Sequence, residues 1–208
     1  VPDQQDGEFL LPVEAHGLKT MSMGYLSSAK TPMVWRGPMA SSAMSQLLEK
    51  TLWGDIDVLL VDMPPGTGDI QLTLSQRATL SGAVIVTTPQ DIALLDARKG
   101  IEMFQKVEVP VLGLIENMAA HVCTACGQVE PLFGEAGGQH LAEQYDVPLL
   151  GQIPLDRAIR EHSDQGHPIV LADPEGPIAA VYQEAALTLM AALGQQRSAP
   201  APVISMGD

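Results

Sequence analysis

The chain has 208 residues, of which 46% are hydrophobic and 17% charged, and its formal net charge is −14. This balance is typical of a globular domain, and so acidic a surface would repel the phosphates of a nucleic acid. No purely apolar run approaches the ~20 residues that span a bilayer, and the first residues show no signal-peptide pattern. With only two cysteines, a disulfide scaffold is excluded. We therefore expect a cytoplasmic protein that binds neither nucleic acid nor membrane.

Four near-continuous aliphatic segments predict buried parallel strands, because strands that are covered on both faces lack polar alternation. They span residues 57–62, 82–88, 109–116 and 148–153. Apolar residues at helical spacing predict helices over residues 41–52, 137–145, 154–163 and 175–193, and one more that starts from an Asp91 cap. Strands that alternate with helices indicate an α/β fold with a doubly wound, mainly parallel sheet.

The chain shows no internal repeat and no long linker, which favours a single domain over residues 1–194. The segment 195–208 contains the run Ser-Ala-Pro-Ala-Pro and is predicted to be a flexible tail.

A candidate phosphate-side motif follows the first predicted strand, which ends at Asp62 and continues as Met-Pro-Pro-Gly-Thr-Gly-Asp. A carboxylate at the end of a buried strand is the Walker B arrangement, in which it holds Mg²⁺ or orients the attacking water. Gly66 and Gly68 would let backbone amides approach a γ-phosphate. The same residues also fit an ordinary strand end with a Pro-Gly turn. The sequence contains no Gly-Lys pair, so the usual phosphate-binding loop is absent from it.

The two cysteines form one Cys-x-x-Cys motif at Cys123 and Cys126, in a Gly- and Pro-containing stretch after the third predicted strand. This spacing lets two thiolates hold one metal centre, whereas tetrahedral zinc or a cubane cluster takes four ligands. A two-fold dimer would supply the other two. A redox dithiol remains an alternative, although such motifs usually open a helix near the first strand. His121 is a possible extra ligand, but an ordinary loop histidine is the simpler interpretation.

Four strings occur in an order that resembles one known family. The similar strings are MVWRGPM (33–39), VDMPPGTGDIQLTL (61–74), VTTPQDIAL (86–94), and ENM followed by the Cys-x-x-Cys pair (116–126). The family that they resemble is the Mrp/ApbC iron–sulfur carrier ATPases. These belong to the deviant-Walker P-loop proteins, with MinD and nitrogenase iron protein. The resemblance implies a P-loop NTPase fold, ATP and Mg²⁺ binding, and slow ATP hydrolysis. It also implies a [4Fe–4S] cluster that bridges a homodimer and is delivered to apo iron–sulfur proteins.

The same resemblance assigns roles to individual residues. Asp62 matches the Walker B aspartate and is the predicted catalytic residue. Cys123 and Cys126 match the bridging cluster ligands. The predicted nucleotide-binding positions lie in the switch after Asp62 and beside the adenine; they are Pro65, Gly66, Thr67, Gly68, Asn117, Pro154 and Asp156.

Members of that family carry a lysine-rich P-loop upstream of the region that this sequence matches. We therefore expect a P-loop fold that is incomplete at its N-terminus, and a 208-residue chain that does not hydrolyse ATP by itself. The alternative function is a non-enzymatic module that binds zinc through the cysteine pair, because zinc and iron–sulfur sites use the same thiolates. A membrane-cycling ATPase is disfavoured, since residues 198–208 contain no Lys or Arg.

Overall fold

The structure is a computed structural model, and it describes residues 2–5, 8–26, 37–63, 69–123 and 125–197. The chain divides into two compact units, Val1–Thr79 and Leu80–Asp208. Each unit has its own secondary structure, so the two are described separately.

The first unit begins with two short antiparallel pairs. Strand β1 (Gln4–Gln5) pairs with β2 (Phe9–Leu10), and β3 (Val13–Ala15) pairs with β4 (Leu18–Thr20). The second pair turns through His16 and Gly17, which both have positive φ angles. Such angles match the two-residue turn that suits the twist of a hairpin.

Three helices complete the described part of the first unit: α1 (Met23–Leu26), α2 (Gly37–Lys50) and α3 (Asp69–Arg77). Helices α2 and α3 pack together, with Ala43 and Leu74 among their buried side chains. An exposed ion pair, Arg77 to Glu49 at 3.3 Å, spans the same two helices. The helix predicted over 41–52 is therefore confirmed, and it starts earlier than its apolar pattern indicated.

The strand predicted over residues 57–62 is wrong. These residues form no regular element, and their aliphatic side chains are exposed, up to 80% for Leu60. A strand is stabilised by neighbouring strands and by packing on its faces. The only strands in the described part of the first unit are β1 to β4, and none of them pairs with residues 57–62. The aliphatic pattern alone therefore does not make a strand.

The second unit is built on a three-stranded parallel sheet. Its strands are β5 (Ala83–Thr87), β6 (Val111–Asn117) and β9 (Leu149–Ile153), with β6 in the centre. These match three of the four predicted strands, so the α/β class and the parallel sheet are confirmed. A two-stranded antiparallel hairpin, β7 (His121–Val122) with β8 (Val129–Glu130), follows β6.

The described part of the second unit contains five helices: α4 (Asp91–Lys106), α5 (Gly137–Tyr145), α6 (Arg157–Asp164), α7 (Ile169–Ala172) and α8 (Pro177–Arg197). Helices α4, α5 and α8 pack against the sheet, while α6 packs against α7 and α7 against α8. Helix α5 contacts Glu116 of β6, while α8 approaches Gly151, the register partner of Ile115. Successive residues of a strand point to opposite faces, so α5 and α8 lie on opposite sides and the sheet is doubly wound.

The bounds of three helices in this unit differ from the prediction. Helix α6 begins at Arg157, after the predicted start at residue 154. Gln90, not Asp91, caps α4, and no side-chain hydrogen bond is made at that cap. Helix α8 continues through Gln195 to Arg197, so the start of the predicted tail is helical, while residues 198–208 lie outside the described part.

The core of the second unit lies between the sheet and α4 and α5. Five buried side chains form it: Ile85, Ala97, Ile101, Leu114 and Leu141. Ile101 and Leu114 are fully buried. Aliphatic residues with few aromatics fill this space, as the 4% aromatic content requires.

A buried carboxylate joins three elements of the second unit. Glu116 is 1% exposed, and its carboxylate accepts hydrogen bonds from the Gly138 amide at 2.5 Å and from the Gln152 side chain at 2.6 Å. The amide belongs to the first turn of α5, whose free N–H groups favour negative charge. A Cβ on Gly138 would lie 2.9 Å from the Cβ of Glu116, so this approach requires glycine.

Helix α8 is the most apolar long helix in the described residues. Its residues Pro177–Gln195 have a mean hydropathy of 1.2, enough to cross a bilayer by length and composition alone. It packs against β6 and β9, with Ala179 and Ala185 buried, while Leu187 and Met190 face outward. Core helices of globular domains often meet the same length criterion, so this is weak support for a membrane span.

Candidate functional site

The two cysteines lie in the loop of the β7–β8 hairpin. The Cys123 amide donates to the Gln128 carbonyl at 2.9 Å, and the Gly127 amide donates to the Cys123 carbonyl at 2.8 Å. Both thiols are free, with Cys123 half-buried and Cys126 exposed. The hairpin therefore presents both sulfur atoms at an accessible loop, not at the start of a helix as in a thioredoxin-type dithiol.

The loop is built to stabilise a thiolate. Hydrogen bonds from the Ala125 and Cys126 backbone amides lower the pKa of the Cys123 thiol below its usual value. The Cys126 side chain and the charge of His121 act in the same direction, against the desolvation of the thiol. Gly127 has a φ of 74°, which a residue with a side chain adopts at a cost. Thiolates are the form of cysteine that binds metals.

His121 lies at the base of the hairpin, where it begins β7. Its Nδ1 lies 3.1 Å from the Leu155 carbonyl oxygen. Within the described residues, no group of three His, Cys, Asp or Glu side chains is close enough to hold a metal ion. The structure therefore favours the structural role of His121 over the role of an extra ligand in a single chain.

Three predicted nucleotide-binding residues come together at the carboxyl ends of β6 and β9. Asn117 pairs in register with Ile153, and its side-chain oxygen accepts the Met118 amide at 2.9 Å. Pro154 follows directly, and Asp156 caps α6 by accepting the Ala158 amide at 2.7 Å. Ligands of open α/β sheets bind at this edge. A structural role accounts for each of these contacts, so the nucleotide-binding role of the three residues stays a prediction.

The structure describes only part of the predicted phosphate-side motif. Asp62 lies in the first unit, exposed and outside any strand, so the strand end on which its Walker B assignment depended is not formed. Pro65, Gly66, Thr67 and Gly68 lie outside the described residues.

Sequence reasoning missed the contacts that connect the thiol hairpin with the turn after β9. The Ala119 amide donates to the Ile153 carbonyl at 3.0 Å, and the Leu155 amide donates to the Ala120 carbonyl at 2.9 Å. Both are backbone bonds between segments that are more than thirty residues apart, and such pairing leaves no mark in residue type. The one side-chain signal was His121.

A family model described as "ParA: NUBPL iron-transfer P-loop NTPase" matches residues 2–190. The chain is 58% identical over 187 residues to an "Iron-sulfur cluster carrier protein" of Pseudomonas fragi, which covers 90% of this chain and 65% of that one. It is 56% identical over 185 residues to the protein of the same name from Escherichia coli K12. This match covers 89% of this chain and 50% of the Escherichia coli protein. The chain thus spans between half and two thirds of the length of these relatives.

Among solved structures, the chain resembles a nucleotide-binding protein from Archaeoglobus fulgidus that was solved with ADP. The TM-score is 0.67 at 36% identity, over 83% of this chain and 65% of the other. The fold similarity is thus strong over most of this chain.

Proposed function

Because this chain belongs to the NUBPL iron-transfer P-loop NTPase family, we propose that it is part of an ATP-dependent carrier of iron–sulfur clusters. The cluster is the cargo, and apo iron–sulfur proteins receive it. The relatives named iron–sulfur cluster carrier protein support this role, and the small number of cysteines is in keeping with a cytoplasmic location.

The observation that carries the proposal is the thiol hairpin. Cys123 and Cys126 are free and accessible, and backbone amides lower the pKa of the Cys123 thiol. Hydrogen bonds to sulfur also tune the reduction potential of a bound cluster. A [4Fe–4S] cluster takes four cysteine ligands, and one chain has two cysteines. A homodimer with the cluster on its two-fold axis supplies the full set.

On the nucleotide side, the proposal assigns adenine contacts to Asn117, Pro154 and Asp156, and phosphate contacts to residues 65–68. Mg²⁺ would be held with the nucleotide by the Asp62 carboxylate, an oxygen donor of the type that this ion prefers. When bound, the ion neutralises charge on the phosphates. The 208-residue chain has no Gly-Lys pair, so we expect no ATP hydrolysis from it alone.

The test is anaerobic reconstitution with iron and sulfide, followed by visible absorbance and iron analysis. The proposal predicts a brown protein with about one four-iron cluster per two chains. The double variant Cys123→Ser, Cys126→Ser should be colourless. The matched control is Gln128→Ser, which introduces the same side chain into the same loop and keeps both thiols; it should remain brown.

Two results would overturn the proposal. Iron that remains bound in the double cysteine variant would show that the hairpin is not the cluster site. A colourless wild-type chain that binds zinc through both thiols would favour the zinc module instead, because zinc has no visible absorbance with these ligands.

A further inference from the structure

The hairpin that carries the thiols is fastened at its base to the turn that follows β9. Beyond the last register pair of the sheet, Met118 adopts a positive φ of 56°, and the chain turns there. Three hydrogen bonds then join residues 119–121 to residues 153–155: two between backbone groups, at 3.0 and 2.9 Å, and one from the His121 ring at 3.1 Å. We call these three bonds the hairpin clamp.

The chemistry of the partners fixes the state of the histidine in the clamp. A carbonyl oxygen only accepts hydrogen bonds, so Nδ1 of His121 must carry the proton that it shares with Leu155. Histidines that ligate a metal commonly donate their other ring N–H to a backbone carbonyl, and this bond fixes the orientation of the ring. Here no ligand set of three forms around the ring within the described residues, so the bond orients the hairpin and not a metal ligand.

The clamp acts on the thiols through a short connection. His121 begins β7, which pairs with β8 through His121–Glu130 and Val122–Val129. The next residue is Cys123, whose amide is bonded to Gln128. Cys123 thus directly follows the two-residue strand that begins at His121. At its other end, the clamp holds Leu155, between Pro154 and the α6 cap Asp156.

We propose that His121 is a positioning residue that couples the 154–156 turn to the metal-binding geometry of Cys123 and Cys126. This inference rests on the proposed function, in which the thiols bind a metal centre and the turn lies beside the nucleotide. A ligand that shifts the turn moves the Leu155 carbonyl, and His121 transmits that shift to the base of the hairpin. The clamp is thus the contact through which nucleotide state reaches the cluster.

The experiment compares side chains that retain one or the other ring nitrogen. Asparagine places its amide nitrogen close to the position of Nδ1, whereas glutamine reaches the position of Nε2 and leucine offers neither. Co²⁺ is titrated into anaerobic wild-type chain and into His121→Asn, His121→Gln and His121→Leu. The measured quantities are the Co²⁺ affinity and the thiolate-to-cobalt and d–d bands. His140→Leu is the matched control, because His140 is exposed on α5.

The expected result is that His121→Asn and His140→Leu keep the wild-type affinity and spectrum. His121→Gln and His121→Leu should bind about ten-fold more weakly, with shifted d–d bands, which is a typical loss for a supporting residue. Hydrogen exchange of the Cys123 and Gly127 amides, measured without metal, should quicken in the same two variants only.

Two outcomes would overturn the inference. Unchanged affinity, spectrum and amide exchange in His121→Leu would show that the clamp does not position the thiols. Loss of affinity in His121→Asn and His121→Gln alike, with unchanged amide exchange, would make the histidine a ligand. If His121→Leu does not fold, the asparagine–glutamine comparison still decides. A wild-type chain without any thiolate-to-cobalt band would instead contradict the proposed function, and the amide exchange would still report on the clamp.

Discussion

The two units of this chain contain similar sequence patterns and have different structures. In the second unit, three aliphatic runs form a parallel sheet with a buried core. In the first unit, an equally aliphatic run, residues 57–62, forms no strand and is exposed. The difference teaches that an aliphatic run becomes a strand only where neighbouring strands and helices pack against it. The hairpin that carries the two thiols belongs to the packed unit.

The largest expected effect contrasts one leucine from each unit. Leu114→Ala removes a fully buried side chain and should lower the free energy of unfolding by about 2–5 kcal/mol. Leu60 is 80% exposed, so Leu60→Ala should change it by less than about 0.5 kcal/mol. Urea unfolding followed by circular dichroism measures both. Equal losses in the two variants would show that residues 57–62 are packed after all.

The next effect tests the buried carboxylate of the second unit. Glu116→Ala leaves the Gly138 amide and the Gln152 side chain without their acceptor, which should destabilise the chain by about 1–3 kcal/mol. Glu116→Gln keeps the shape of the side chain and one acceptor oxygen, so it should lose less stability than Glu116→Ala. Glu49→Ala is the control, because it removes only the exposed ion pair with Arg77, of about 0–1 kcal/mol. The same urea titrations rank the three variants, and the order would be reversed if Glu116 were dispensable.

How well the strands and the buried contacts can be predicted depends on the sequence separation of the residues that interact. Strands β5, β6 and β9 were predictable because burial on both faces selects aliphatic residues at most positions. The burial of Glu116 was not predictable, because its hydrogen-bond partners are Gly138 and Gln152. Both are distant in sequence, so the sequence does not show that they lie beside Glu116. The hairpin clamp was missed for the same reason, because backbone hydrogen bonds impose no residue type.

The candidate site was partly predictable. The Cys-x-x-Cys spacing identified Cys123 and Cys126, and the structure adds the amide hydrogen bonds that lower the pKa of Cys123. Asn117 and Asp156 were assigned to the adenine from the family resemblance, and that role stays a prediction; the structure shows that they follow β6 and β9. For Asp62 the expected strand end is not formed, and residues 64–68 lie outside the described part.

A smaller effect is expected at the turn that the clamp holds. Asp156 accepts the Ala158 amide as the cap of α6, and Asp156→Ala should cost about 1 kcal/mol. Asp156→Asn preserves a hydrogen-bond acceptor, so it should lower the free energy of unfolding by only a few tenths of a kcal/mol. Thermal unfolding distinguishes the two variants. Indistinguishable midpoints for Asp156→Ala and wild type would show that the cap contributes nothing.

The smallest effect is on the reactivity of one thiol. Because backbone amides lower the pKa of Cys123, its thiolate persists to lower pH than that of an ordinary cysteine. In Cys126→Ser, where only Cys123 is alkylated and the serine hydroxyl still donates, the alkylation rate should therefore rise at lower pH in the native chain than in urea. Iodoacetamide kinetics over a pH series give both profiles. Superimposed profiles would contradict the effect of the loop on the thiol.

The central claim is that the hairpin of the packed unit shares a cluster with a second copy of itself. Native mass spectrometry of the anaerobically reconstituted chain tests it most directly. The account predicts a dimer whose added mass corresponds to about four iron and four sulfide, and a monomer after the cluster is removed with chelator. A monomer that carries one metal ion on its two thiols, or a dimer that persists without the cluster in Cys123→Ser, Cys126→Ser, would contradict it.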